Sequence, residues 1–148
     1  MTQTVATKTP QATEAVRLRL DPHPSHTTVL DGGWWPRSTD VVAELPGLTA
    51  ALAGLRGDVT HVLVNGDEWD LPHPRRAGTG GRAVRLGWFT SQPAGLITIM
   101  TDYGDDRFDL LVIPPDASPK SADDALTAAA DPADKRHTPE LLADIAHN

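Results

Sequence analysis

Residues Arg82–Asp116 read RAVRLGWFTSQPAGLITIMTDYGDDRFDLLVIPPD, and the punctuation of this stretch decides the fold class. Three β-prone runs, Arg82 to Phe89, Leu96 to Thr101 and Arg107 to Ile113, are separated by Ser91 to Gly95 and Asp102 to Asp106, both rich in turn formers. Links this short favour antiparallel neighbours, because a parallel crossover needs roughly a dozen residues or more. Within the first run, Val84, Leu86 and Trp88 share one face and Arg85, Gly87 and Phe89 the other. Pro114-Pro115 ends the sheet, since proline has no amide N–H to give a ladder.

Outward from this stretch, Val59 to Val64 is a fourth run, closed by Asn65-Gly66 and followed by a Pro/Arg/Gly-rich loop from Leu71 to Gly81. Asp40 to Arg56 is helical in pattern, but Pro46 falls where an interior amide is needed. The spacing predicts a turn at Thr39 to Leu45 and a main helix opening on Pro46, with Leu48, Leu52 and Leu55 buried and Gly57 closing it. Val16 to Leu20 alternates as VRLRL, a strand with one wet face, and Thr27 to Leu30 is a second short run before Asp31-Gly32-Gly33. C-terminally, Ser118 caps a helix with Pro119 at its first position, and Thr138-Pro139 repeats the arrangement.

The order ββα, four strands, αα predicts an α+β fold: a mostly antiparallel sheet of about five or six strands with helices packed on one face. Residues 1–15 read as a disordered tail, 16–132 as a single domain and 133–148 as a C-terminal helical extension.

Composition narrows the function classes. The chain has 148 residues and no cysteine, so disulfides and thiolate metal sites are excluded. It has no apolar run of membrane-spanning length and no apolar signal region, and the expected location is cytoplasmic. A net charge of −7 disfavours general binding to nucleic acid or to an anionic membrane. The charge is unevenly spread. From Asp116 onward, seven acids against Lys120, Lys135 and Arg136 leave −4, whereas between Arg75 and Arg107 five arginines against three aspartates leave +2.

Four of the seven aromatic residues are tryptophan, two of them in LDGGWWPRSTD, Leu30 to Asp40. That string, with ELPGL at Glu44 to Leu48 and LLVIPPD at Leu110 to Asp116, resembles the signature of an actinobacterial family known only as a domain of unknown function. The resemblance runs from about Leu18 to Pro132 and implies a small single-domain protein; it implies no activity, cofactor or catalytic residue.

Adjacent extended residues point to opposite faces, so one of Trp34 and Trp35 is expected under the helices and the other on the open face or at an edge. Trp88 belongs with the core; Trp69 and the second indole of the pair are the surplus. A partly exposed indole offers a flat apolar surface with one N–H donor. Arg37 lies two residues beyond Trp35 and suits a carboxylate or phosphate, and Arg85 adds a second guanidinium beside the gap at Gly87. The plain structural alternative is that Trp35 stacks on Arg37 or Arg85 as a cation–π pair closing the sheet edge.

Other constellations are weaker. His23 and His26 have a ligand-like spacing without a third partner, and Asp67, Glu68, Asp70 and His73 cluster without a calcium-loop pattern. GTGGR at Gly78 to Arg82 precedes a strand and reads as a hairpin loop. Nucleophile-elbow, phosphate-loop and zinc-protease motifs are absent. The leading expectation is a non-enzymatic binding or regulatory module presenting Trp34, Trp35, Arg37, Trp69 and Arg85 to a small anionic ligand or a protein, with no metal and no cofactor. The rival is a small hydrolase or metal-dependent enzyme using His61 with Asp67, Asp70 or His73; single-stranded RNA binding ranks third.

Overall fold

The computed structural model describes residues 16–21, 30–79, 82–101, 106–131 and 138–147. The readings of residues 1–15, of Thr27 to Val29, and of His23 and His26 fall outside these. The described residues form β1 (Leu18–Leu20), β2 (Gly32–Trp34), α1 (Val41–Ala53), β3 (Val59–Val64), β4 (Arg76–Thr79), β5 (Arg82–Trp88), β6 (Leu96–Thr101), β7 (Asp106–Val112), α2 (Pro119–Ala129) and α3 (Thr138–His147). The seven strands join one sheet in the order β1-β2-β7-β6-β3-β5-β4.

The class is α+β, but the sheet is mixed where a mostly antiparallel one was expected. β2 runs parallel to β7 and β3 parallel to β5, while the other four pairings are antiparallel. The physical reason lies in the link after β3. Residues 65–81 are long enough for a parallel return, and within them β4 folds back as a hairpin partner for β5. β4 falls in the stretch expected to be loop, since its sequence, RAGT, offers Ala77 to the core and no apolar alternation.

Helices cover both faces of the sheet, which corrects the expectation of one. Neighbouring strand residues Leu110 and Leu111 enter different apolar clusters. The first face holds Trp34, Val62, Val64, Val84, Leu86, Ile97, Ile99, Phe108 and Leu110, sealed by Val41, Leu45, Leu48 and Leu52 of α1. The second cluster joins Leu111 and Ile113 to Ala122, Ala125, Leu126 and Ala129 of α2 and to Leu141 of α3. α2 sits close because β2 offers no side chain there: a Cβ on Gly33 would lie 3.2 Å from both Ala129 Cβ and Leu126 Cδ2. The face of β1 read as wet is in part occupied by α2, for Arg19 donates to Thr127 Oγ1 at 2.6 Å and to Asp123 Oδ1 at 3.1 Å.

α1 is one continuous helix that contains Pro46, not a turn followed by a helix. Asp40 caps it by accepting from the Ala43 amide at 3.3 Å. The missing proline N–H strands the Val42 carbonyl, and Val42 is exposed, so water can serve it. Leu55, expected in the buried stripe, lies past the helix end and is 64% exposed; Val41 and Leu45 complete the stripe in its place. No helix among the described residues is long and apolar enough to cross a membrane.

Candidate functional site

β2, β7 and β3 all point the same way, because β7 and β3 are each antiparallel to the intervening β6. The segments leaving their C-terminal ends surround a cleft of about 1080 Å³ lined by residues of 36–39, 68–69 and 112–118, with Leu142 and Ile145 of α3 completing it. In open α/β sheets ligands bind in crevices beyond the strand C-termini, and this cleft has the same placement in a mixed sheet.

The tryptophan segment builds one wall. Trp34 is fully buried and stacks on Trp69, ring centroids 5.9 Å apart at 22°. Trp35 turns to the other face, where its Nε1 donates to the Pro114 carbonyl at 3.0 Å. The Arg17 guanidinium lies 3.7 Å from the Trp35 ring centroid and donates to the carbonyls of Trp35 and Pro36 at 3.0 and 3.1 Å. One arginine thereby clamps the chain as it leaves β2. Beyond it, the Glu44 carboxylate of α1 accepts from the Arg37 amide and the Ser38 hydroxyl, each at 2.9 Å. The opposing wall is tied in by Asp70, whose amide donates to the Thr39 carbonyl at 2.9 Å and whose carboxylate accepts from the Thr39 hydroxyl at 2.8 Å.

Glu68 is the charged group set among these apolar surfaces. It ends a single 3-10 turn, Gly66–Glu68, whose cap Asn65 accepts from the Asp67 amide at 2.8 Å and donates to the Gln92 carbonyl at 2.8 Å. Both Glu68 oxygens accept from the Gly95 amide at 2.8 Å. Burial pushes its carboxyl above the ordinary value, against the Gly95 N–H that favours the charged form, and the Asp67 charge adds to the rise. Asp116 also lines the cleft, and among the described residues no lysine, arginine or histidine does so.

The five residues singled out in the sequence do not form one surface. Trp34 and Trp69 are core residues stacked on each other, so Trp69 is not a surplus surface indole, although it still lines the cleft. Trp35 is half-buried against the α2–α3 cluster, and its cation–π partner is Arg17 instead of Arg37 or Arg85. Arg37 is exposed where the chain leaves β2, and Arg85 is exposed on β5. Four strand spacings, roughly 19 Å, separate those two strands, and neither this cleft nor the hollow lined by Arg85 brings Arg37 and Arg85 together. Trp88 is half-buried and stacks on His73, centroids 4.1 Å apart at 8°.

Three of the groups considered for catalysis have other partners: His61 Nδ1 lies 2.9 Å from Thr60 Oγ1, His73 Nε2 lies 3.2 Å from the Trp69 carbonyl, and Asp70 holds Thr39. Among the described residues no group of three or more His, Asp or Glu side chains is arranged to hold a metal ion. Sequence reading missed the prolines, Ser118 and the α3 residues of the cleft, which are distant in the chain and share no motif.

Fold and cleft define a small α+β protein built on one mixed sheet, with an open hollow at the ends of its co-directional strands. The chain belongs to DUF5994, a family of unknown function, whose profile matches residues 17–129. No curated protein and no solved structure matches it.

Proposed function

We propose that the chain is a non-enzymatic binding module whose cleft takes a small ligand with an apolar body and a protonated amine. One observation carries this reading: a cavity of about 1080 Å³ walled by Trp69, Val112, Pro114, Leu142 and Ile145 encloses the half-buried carboxylate of Glu68. An apolar wall with few placed polar groups is the usual make-up of a small-molecule site. A cationic head facing Glu68 and Asp116 offsets the cost of burying the Glu68 carboxylate, whereas an anion meets like charge. The anionic ligand expected from Arg37 and Arg85 therefore does not suit this cleft.

The test is NMR titration of the full chain with phenethylamine and with 3-phenylpropionate, which differ in the sign of the head group. Phenethylamine is expected to shift the Leu142 and Ile145 methyl resonances and 3-phenylpropionate to leave them in place. Glu68→Gln should abolish the preference. Equal response to both probes, or none to the amine, overturns the reading.

A further inference from the structure

α2 and α3 cover the second face of the sheet around β1, β2, β7 and the first residue of β6. On the rest of it, one transverse row crosses five strands. Arg76 of β4 is opposite Arg85 of β5, Arg85 is in register with His61 of β3, His61 with Met100 of β6, and Met100 with Arg107 of β7. Like charges directly opposed across a ladder are destabilising. Arg76 and Arg85 are nevertheless so placed. Among the described residues no acidic side chain pairs with Arg75, Arg76, Arg85 or Arg107, although the chain holds 20 acids. Arg19 and Arg56 differ: each is ion-paired, to Asp123 and Asp106.

At the β4–β5 edge the row opens into a hollow of about 620 Å³ lined by His73, Arg75, Arg76, Arg85, Gly87 and Trp88. Its aromatic wall is held in place. Trp88 stacks on His73, and its Nε1 donates to the Pro74 carbonyl at 2.7 Å. On the Arg85 face of β5 the ring of Phe89, 48% exposed, fills the space a Cβ on Gly87 would need, 2.7 Å from that position.

We propose that this hollow binds a compact phosphate-bearing anion, whose phosphoryl oxygens are taken by Arg75, Arg76 and Arg85. Guanidinium forks match phosphate oxygens bidentately, and three of them suit a dianion with three free oxygens better than a carboxylate with two oxygens and one charge. The bound charge also relieves the Arg76–Arg85 opposition. A long polyanion fits less well: farther along the same face lies Asp109, α2 exposes Asp123 and Asp124, and the chain as a whole carries −7. This site is separate from the Glu68 cleft, and its failure leaves the amine reading standing.

The test is calorimetric titration of the full chain, in low salt, with pyrophosphate, ADP and adenosine. Pyrophosphate and ADP are expected to bind and to raise the thermal midpoint, and adenosine to do neither. Stronger binding of ADP than of pyrophosphate identifies an organic phosphate ester whose nucleoside adds contacts; equal binding identifies an inorganic phosphate. Both support the site. The double variant Arg76→Ala/Arg85→Ala should bind at least about tenfold more weakly. Its ligand-free midpoint should equal or exceed the parent's, which a merely structural pair would not allow. Arg85→Lys, keeping the charge and losing the fork, should fall between them. Absence of binding by either phosphate at millimolar concentration overturns the proposal. So does binding that survives in the double variant, or tighter binding to a single-stranded oligonucleotide than to ADP.

Discussion

The two faces of the sheet meet their neighbours differently. Under α1 the first face is one apolar cluster from Leu18 at one side to Ala77 at the other, and its largest side chain, Trp34, is wholly buried. The second face starts the same way, with Gly33 and Leu111 under α2, and then changes to Arg107, Met100, His61, Arg85 and Arg76 where helical cover stops. Side-chain chemistry changes with cover: under α2 the strands carry Gly33 and Leu111, with Arg19 paired to α2 at the margin, whereas the uncovered row carries Arg76, Arg85 and Arg107 with His61 and Met100 and holds no acid. Packing accounts for the covered part and leaves the cationic row unexplained.

Substitutions that break this contrast should rank by cover. Trp34→Ala removes a fully buried indole and its stack on Trp69, and should cost about 3–5 kcal/mol in denaturant unfolding. Gly33→Val forces β2 and α2 apart and should cost about 1–3 kcal/mol. Gly87→Ala, on the uncovered half, meets only the movable ends of Phe89 and Leu63, and should cost less than about 1 kcal/mol. If Gly87→Ala proves the costlier of the two, the uncovered half is as tightly packed as the rest and the comparison fails.

A smaller effect separates the buried acids from the exposed bases. Glu68 and Asp31 both have carboxyls raised by burial, Asp31 against the opposing influence of the Asp109 amide and Arg56. A raised folded-state value means the folded chain holds its proton at a pH where the unfolded chain has lost it. These groups therefore favour folding as pH falls through the window between the raised and the ordinary values, and that benefit is lost as pH rises through it. Relative to the parent, Glu68→Gln should gain less, or lose more, stability as pH falls from neutrality to the ordinary carboxylate range. Parallel pH profiles would show that Glu68 is not buried as described. Smallest of all, Arg107→Ala should change stability by within about 0.5 kcal/mol by thermal melting.

What the sequence disclosed follows the same division. β3, β5, β6 and β7 were legible because each carries enough β-prone apolar residues between clear turn signals, and the alternation in β5 sorted Val84 and Leu86 from Arg85 and Phe89 correctly. β4 was not, because a short edge strand with a single buried alanine leaves no period to read. The opposite orientations of Trp34 and Trp35 were legible from backbone geometry alone. Their partners were not, since Trp69, Arg17 and Pro114 are brought in by strand order, and the parallel β2–β7 pairing has no local signal. Pro46 misled because a proline rule that is local overrode an apolar stripe fixed by tertiary packing. The cleft was illegible for the same reason as the parallel pairs: its walls come from four separate parts of the chain.

The parallel seam between β2 and β7 has a consequence in time. Its contacts close a long loop, the Asp31 carboxylate accepting from the Asp109 amide 78 residues away, and contacts of that span form late because their chain entropy must be overcome before any contact rewards it. During synthesis, β1 and β2 leave the ribosome early yet have no sheet to join until β7 follows. Among the tryptophans, Trp34 should therefore report the last step of assembly. In refolding, a variant retaining Trp34 alone should show a slower fluorescence phase than one retaining Trp88 alone, whose hairpin partner β4 and neighbour His73 are close in the chain.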